Sequence, residues 1–152
     1  MGTITVRPPG AEDEWPLVDV YVKARRSYYE GHLPEAELAE WERSARAGGL
    51  TFDRPDRVWL CAELDHVVAG FALVTPSGEL LQLQVDPACW GNGVGRALHE
   101  AAVGALRDLG VTTAHLDVFA ENHRAQRFYT ARGWRVTGRE ETHLRMALEL
   151  HV

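Results

Sequence analysis

A β-type segment, a glycine-rich turn and a helical segment follow one another between positions 80 and 109. This junction constrains the fold more than any other feature. Residues 80–85 read LLQLQV, residues 91–96 read GNGVGR, and a helix is predicted from about Gly93 to Leu109. Glycines at 91, 93 and 95 allow the backbone to turn tightly with its N–H groups pointing inward. With the N-terminus of the following helix, those groups form an anion site that suits a phosphate.

Other interpretations of this turn differ in the spacing they require. Glycines at a strand–helix junction can also serve only to form the turn. The dinucleotide-binding fingerprint requires Gly-x-Gly-x-x-Gly, but position 96 is Arg96. A nucleoside triphosphate loop requires Gly-Lys followed by Ser or Thr, which does not occur here. A pyrophosphate site of a third kind remains, to which Arg96 adds a charged donor.

The remaining segments predict one domain, 1–152, of the α/β (α+β) class. Helices are predicted from Asp13 to about Glu30, from Pro34 to Gly48, over 93–109 and over 122–132. Strands are predicted at 4–7, 58–64, 67–75, 80–85, 113–119, 134–137 and 143–148. The order β-α-α-β-β-β-α-β-α-β-β favours one largely antiparallel sheet, and the strand–helix–strand passages after position 80 allow a local parallel pairing.

Composition limits the possible partners and the compartment. The net charge of −6 argues against broad nucleic-acid binding, and no apolar run approaches the ~18 residues of a membrane helix. The N-terminus shows no secretory signal pattern, and Cys61 and Cys89 do not form a disulfide framework. The seven histidines show no tight metal-ligand spacing, so no metal is expected. These features predict a cytoplasmic protein.

Two blocks of sequence resemble those of the GCN5-related N-acetyltransferase (GNAT) family. Residues 85–96 (VDPACWGNGVGR) resemble its pyrophosphate loop, Gln/Arg-x-x-Gly-x-Gly/Ala, with Gly93 and Gly95 at the small positions. Trp90 departs from the pattern at the Gln/Arg position. Residues 116–129 (LDVFAENHRAQRFY), followed by Gly133 and Trp134, resemble the family's Val-x-x-x-Asn-x-x-Ala-x-x-Phe-Tyr-x-x-x-Gly-Phe block. Two blocks in this order are far more specific than either alone.

This resemblance implies a fold and a set of cofactor contacts. The fold is a mostly antiparallel mixed sheet of about seven strands with about four helices, splayed in the middle to hold acetyl-CoA. The backbone of β-type residues would pair with the pantetheine arm, the glycine turn would hold the pyrophosphate, and two residues of the second block would contact the pantetheine and the thioester sulfur. In that order, these residues are Leu83, Gln84 and Val85; Gly91, Asn92, Gly93, Val94, Gly95 and Arg96; and Asn122 and Tyr129.

The resemblance also suggests catalytic roles. Tyr129 is expected to protonate the departing sulfur as a general acid, the alternative being an aromatic residue of the core. Asp117 lies five residues before Asn122, where some relatives carry Glu. In the apolar environment of such a strand it would accept a proton from the amine, directly or through water. The alternative is a structural hydrogen-bonding Asp, and Glu79 and His143 are weaker candidates for the base.

The acceptor is expected to bind at the first two helices and the late strands, the most variable parts of this fold. Tyr28, Tyr29 and His32 are the candidate substrate-binding residues, with Arg25 and Trp41 nearby in sequence. The alternative is an aromatic-rich helix pair packed on the sheet. The predicted activity is acetyl transfer from acetyl-CoA to a primary amine of a small molecule or protein by direct attack, in a monomer or homodimer. The competing function is a catalytically silent acyl-CoA-binding regulatory module.

Overall fold

The computed structural model describes residues 2–151 and has the element order that the sequence predicts. The bounds agree with the prediction to within a few residues. The last strand pair, formed by β6 and β7, extends further than expected. The strands are β1 Ile4–Arg7, β2 Val58–Leu64, β3 Val67–Val74, β4 Leu80–Val85, β5 Thr113–Phe119, β6 Arg135–Glu140 and β7 His143–Glu149. The helices are α1 Glu14–Tyr29, α2 Glu35–Gly48, α3 Val94–Asp108 and α4 His123–Ala131.

The seven strands form two antiparallel sheets, not one continuous sheet. Their orders are β1-β2-β3-β4 and β5-β7-β6. A single parallel bridge between Glu79 and His115 joins them, with the His115 N–H donating to the Gly78 carbonyl at 2.9 Å. The expectation of one sheet is therefore wrong at this point, because β4 and β5 diverge after the bridge. The expected splay in the middle of the fold is found here.

An ion pair holds the two sheets together at the closed end of the splay. Arg145 on β7 donates to both carboxylate oxygens of Glu79, at 2.6 and 3.1 Å. Both side chains are about one-third exposed, so the pair is partly shielded from water. Glu79 therefore does more than the ordinary turn residue that its sequence position suggests.

Helices α1 and α3 cover opposite faces of the first sheet. Cys61 and Phe71 point toward α1, where they pack with Leu17, whereas the neighbouring Ala62 belongs to the cluster that contains Leu98 of α3. This separation follows from the strand period of two. Each fully buried Leu or Phe of these clusters contributes roughly 1.5–3 kcal/mol. The gap between β4 and β5 thus has an α1 side and an α3 side.

Residues 2–151 contain neither a membrane-spanning helix nor a cluster of metal ligands, and Cys61 and Cys89 are not activated. No helix in this range combines the length and the apolar character needed to cross a bilayer. No cluster of three or more His, Cys, Asp or Glu side chains in the same range is arranged to hold a metal ion. Burial raises the pKa of the Cys61 thiol to about 11 and also raises the pKa of Cys89. Neither cysteine is therefore an activated thiolate at neutral pH.

A buried histidine makes the core sensitive to acid. The Trp134 Nε1–H donates to His99 Nε2 at 2.9 Å, so this nitrogen must carry no proton. Burial, helped by the charge of Arg132, lowers the pKa of His99 to about 4. In the unfolded chain a histidine titrates near ~6.5. The unfolded state therefore binds more protons between these two values.

We expect the free energy of unfolding to fall as the pH is lowered from about 6.5 to about 4, because protonation of His99 favours the unfolded chain. The stabilisation that neutral His99 gives is fully present above about pH 6.5, and the loss does not grow further below about pH 4. Chemical denaturation at a series of pH values measures the effect. A His99→Gln variant keeps an acceptor for Trp134 and does not titrate, so its stability should vary less across the window. An identical pH dependence in both proteins would contradict this role of His99.

Candidate active site

A cleft of about 880 Å³ occupies the gap between β4 and β5. It is lined by the end of α1, by β4 and the glycine turn, and by β5 and α4. Glu79, a weaker candidate for the base, and Trp41 do not line it. The other residues predicted to bind the cofactor or the acceptor, or to act in catalysis, line it with one exception. The exception is Asn92, whose Nδ2 donates instead to the carbonyls of Cys89 and Trp90, at 3.0 and 3.3 Å, and so stabilises the turn.

The first turn of α3 presents unpaired N–H groups to the cleft. Gly91 and Gly93 have φ values of 84° and 88°, in the left-handed region that favours glycine. Gly93 is the N-cap and supplies no capping side chain, and the first intrahelical bond runs from Ala97 N–H to its carbonyl. The N–H groups of residues 94–96 therefore have no acceptor within the helix. Together with the helix dipole, they make this end of the cleft a site for an anion.

Gly95 is a glycine that the fold itself does not require. It lies inside α3 without a positive φ. A Cβ built on it would lie 3.5 Å from a Phe128 ring carbon and 3.7 Å from a Val85 methyl, which are ordinary van der Waals distances. Gly95 lines the cleft, where a glycine permits close approach of a ligand to the backbone.

Arginines surround the loop, and one of them stacks on the residue that departs from the family pattern. The Arg124 guanidinium lies 3.8 Å from the Trp90 ring centroid. Arg132 lies 3.7 Å from the Phe128 ring centroid, and Arg96 in the first turn of α3 pairs with Glu100 at 3.6 Å. Because Arg124 stacks on Trp90, the positive charge of its guanidinium lies beside the loop. Sequence reasoning did not identify Arg124, since no local pattern indicates a contact across 34 positions.

The edge of β4 that faces the cleft pairs with no strand of residues 2–151 at Leu83, Gln84 and Val85. Their opposite edge pairs with β3, with Leu83 opposite Ala72. A free strand edge presents N–H and C=O groups on which an extended ligand can add. The Gln84 side chain points to the α1 side of the sheet, where its Nε2 donates to the Tyr28 hydroxyl at 3.2 Å.

Tyr129 brings a largely buried hydroxyl to the cleft. Its side chain is 8% exposed, and burial, with a smaller contribution from Tyr28, raises its pKa above the ordinary value. The phenol is therefore neutral at neutral pH and can donate a proton. The Tyr129 oxygen forms no hydrogen bond within residues 2–151. In this range the fully buried side-chain polar atom without a partner is Trp59 Nε1, so the Tyr129 oxygen is not fully buried. Tyr129 lines the cleft, and its oxygen therefore keeps access to it.

Asn122 has two separate hydrogen-bonding groups at the start of α4. Its Oδ1 accepts from the Ala125 N–H at 3.1 Å and so caps the helix. Its side-chain amide nitrogen is not used in this cap. Asn122 lines the cleft, and this nitrogen forms no hydrogen bond within residues 2–151.

Asp117 does not have the apolar environment expected for it. Its side chain is 59% exposed and pairs with Arg145 at 3.3 Å. Leu116 and Val118 on either side are buried, and alternation along the strand turns Asp117 to the other face. An apolar sequence neighbourhood therefore did not produce an apolar side-chain environment.

Aromatic side chains form the end of the cleft away from the glycine turn. The Tyr29 hydroxyl lies 3.3 Å from His143 Nε2, and the Tyr29 ring lies 4.7 Å from Phe119 and 4.7 Å from Tyr28. The His32 ring lies 5.5 Å from that of Phe119. The three candidate acceptor residues thus converge, and His143, a weaker candidate for the base, is half-buried among them. Phe119 joins this group without having been singled out by sequence.

The chain belongs to the acetyltransferase (GNAT) family, whose sequence profile matches residues 17–134. It is 32% identical to a mycothiol acetyltransferase of Beutenbergia cavernae over 111 residues, which are 70% of this chain and 37% of that protein. It is also 32% identical to the mycothiol acetyltransferase of Sanguibacter keddieii over 136 residues, or 83% of this chain and 41% of that protein. The chain therefore spans about two-fifths of the length of these relatives.

Solved structures of N-acetyltransferases share the fold over nearly the whole chain. The PaiA N-acetyltransferase of Thermoplasma acidophilum, solved in complex with coenzyme A, superposes with a TM-score of 0.83 at 21% identity, covering 97% of this chain and 99% of that one. A GCN5-related N-acetyltransferase of Rhodopseudomonas palustris gives a TM-score of 0.81 at 21% identity, covering 99% and 98%. The expected GNAT-type fold is confirmed.

Proposed function

We propose that this protein transfers an acetyl group from acetyl-CoA to a primary amine. The observation that carries the proposal is one cleft that joins an uncapped glycine turn, a free strand edge and a buried tyrosine hydroxyl. These features match, in order, a pyrophosphate, an extended amide-containing arm and a leaving sulfur. Family membership supports the same assignment.

The donor would be held by groups of two kinds. The N–H groups of residues 94–96 would bind the pyrophosphate, with Arg96 and Arg124 adding positive charge. The free edge at 83–85 would pair with the amides of the pantetheine arm, and the Asn122 amide nitrogen would donate to its carbonyls. This set fits the donor without a metal ligand.

The transfer needs a neutral amine, a stabilised oxyanion and a protonated leaving group. A C–N bond forms at the acetyl carbon, the C–S bond breaks, and the electron pair of that bond stays on sulfur. The Tyr129 hydroxyl would donate its proton or a hydrogen bond to this sulfur. The high pKa of Tyr129 keeps that proton in place until negative charge develops.

The amine's proton has two possible destinations. Asp117 as the acceptor stays a prediction, whereas its exposure and its pairing with Arg145 favour deprotonation of the amine by solvent. An Asp117→Asn variant keeps the shape and removes the basicity. If Asp117 is the base, this change flattens or displaces the part of the pH–rate profile in which the rate rises with pH. If the rising limb shifts with the pKa of the amine when two different amines are compared, and is the same in wild type and Asp117→Asn, Asp117 is not the base.

The proposed function is tested by incubating the protein with acetyl-CoA and a panel of amines, and by detecting free thiol together with the acetylated product. Turnover with at least one class of amine supports an enzyme. Calorimetric binding of acetyl-CoA with no turnover on any amine would instead indicate a regulatory acyl-CoA-binding module. Absence of acetyl-CoA binding would contradict both functions.

A further inference from the structure

Arg25 lies at the aromatic end of the cleft without a carboxylate partner among residues 2–151. Its guanidinium carbon is 4.8 Å from the Tyr29 ring centroid and 4.2 Å from the Trp41 ring centroid. The side chain is half-buried and lines the cleft. Cation–π contacts of this kind contribute about 0.5–1 kcal/mol at exposed sites and more when desolvated. Arg25 is thus held in place by ring faces, which leave its N–H donors free of ionic partners.

The neighbouring Arg26 shows the contrast. It pairs with Glu42 at 2.7 Å, Glu35 at 2.9 Å and Glu30 at 3.5 Å. The acidic residues of this helix pair therefore neutralise Arg26 and leave the charge of Arg25 uncompensated. A half-buried guanidinium has five donors that gain most from an ionised acceptor.

The charge of Arg25 acts on the aromatic end of the cleft. Burial raises the pKa of Tyr28 and of Tyr29, and the positive charge of Arg25 opposes this rise at both hydroxyls. The other arginines of the cleft lie at its glycine-turn end, where they stack on Trp90 and Phe128 or follow Gly95. The cleft therefore has a second positive centre, separate from the arginines at the proposed pyrophosphate site.

We propose that Arg25 binds a carboxylate of the acceptor, so that the preferred acceptors are small amines of the amino-acid class. This inference rests on the proposed acetyltransferase function. The planar guanidinium can donate two parallel N–H bonds to a carboxylate, a geometry that a lysine ammonium lacks. Tyr29, whose ring lies beside Arg25, packs with the rings of Tyr28 and Phe119. A carboxylate bound against these rings would be partly shielded from water, which strengthens such a pair.

The experiment compares amino acids with their own carboxamides as acceptors at saturating acetyl-CoA. The readout is the ratio of kcat/KM for the acid to kcat/KM for the amide. In Arg25→Met this ratio should drop by roughly 10–100-fold from wild type, the range carried by hydrogen bonds to charged groups. Arg25→Lys keeps the charge without the planar fork and should give an intermediate drop. The intrinsic difference in basicity within each pair cancels when variant and wild type are compared.

Arg43→Met is the matched control. Arg43 lies on the exposed side of α2, pairs with Glu40 and makes the same change in net charge when replaced. An unchanged ratio in both Arg25 variants, or an equal drop in Arg43→Met, would overturn the inference. If wild type acetylates acids and amides without dependence on Arg25, the proposed function stands and only this inference fails. If wild type acetylates neither amino acids nor their carboxamides but acetylates another amine of the panel, this inference fails and the proposed function stands. If wild type acetylates no amine at all, both fail.

Discussion

Replacing Tyr129 with Phe is expected to lower kcat by on the order of 10²–10⁴-fold, the usual contribution of a general acid. The hydroxyl would act on charge that develops only as the sulfur leaves, so the interaction belongs to the transition state. The affinity for acetyl-CoA should change much less. Steady-state kinetics with a reactive amine, together with calorimetric titration of acetyl-CoA, separates the two quantities.

The packing of Tyr129 makes this substitution informative. The side chain is 8% exposed and its ring contacts Phe128 and Trp134, so Phe preserves most of the buried surface. Tyr21→Phe is the matched control, because Tyr21 is a half-buried tyrosine that lines the cleft and has no role in the proposed chemistry. It should change kcat far less. A Tyr129→Phe variant with wild-type kcat, measured while chemistry limits the rate, would show that Tyr129 serves packing alone.

Local patterns were sufficient to predict the order of helices and strands. Hydrophobic periodicity and glycine stops act over a few residues, so a single sequence contains them. Helix α3, for example, begins beside Gly93 and ends just before Gly110, as the glycines indicate. The splay between β4 and β5 was expected only from the family resemblance. The local sequence of a strand does not indicate whether its edge pairs with another strand.

Contacts between distant residues account for what the sequence did not predict. Arg145 meets Glu79 across 66 positions, and Arg124 meets Trp90 across 34, so each contact depends on the completed fold. Asp117 illustrates a different difficulty. The apolar neighbours of Asp117 predict an apolar environment, but a strand has a period of two, so Asp117 faces the opposite side from them and is exposed.

At Gly95, protein stability and ligand binding are expected to respond in opposite directions. Gly95→Ala adds a methyl that fits beside Phe128 and Val85, and it replaces a glycine inside α3. The free energy of unfolding should rise by about 0.4–1 kcal/mol. The same methyl would face the proposed pyrophosphate, so the Kd for acetyl-CoA should rise by about tenfold or more, a loss of about 1.4 kcal/mol. Gly95→Glu should weaken binding further, because the carboxylate adds a larger clash and repels the phosphates.

Gly104→Ala provides the control within the same helix. A Cβ at Gly104 meets no atom within 4 Å, and Gly104 does not line the cleft. This variant should gain similar stability and keep its affinity for acetyl-CoA. Thermal or chemical denaturation and calorimetric titration of the Gly95 and Gly104 variants measure both quantities. Unchanged affinity in a folded Gly95→Glu protein would remove the glycine turn from the donor site, because a charged side chain in the first turn of α3 cannot leave a pyrophosphate bound there undisturbed.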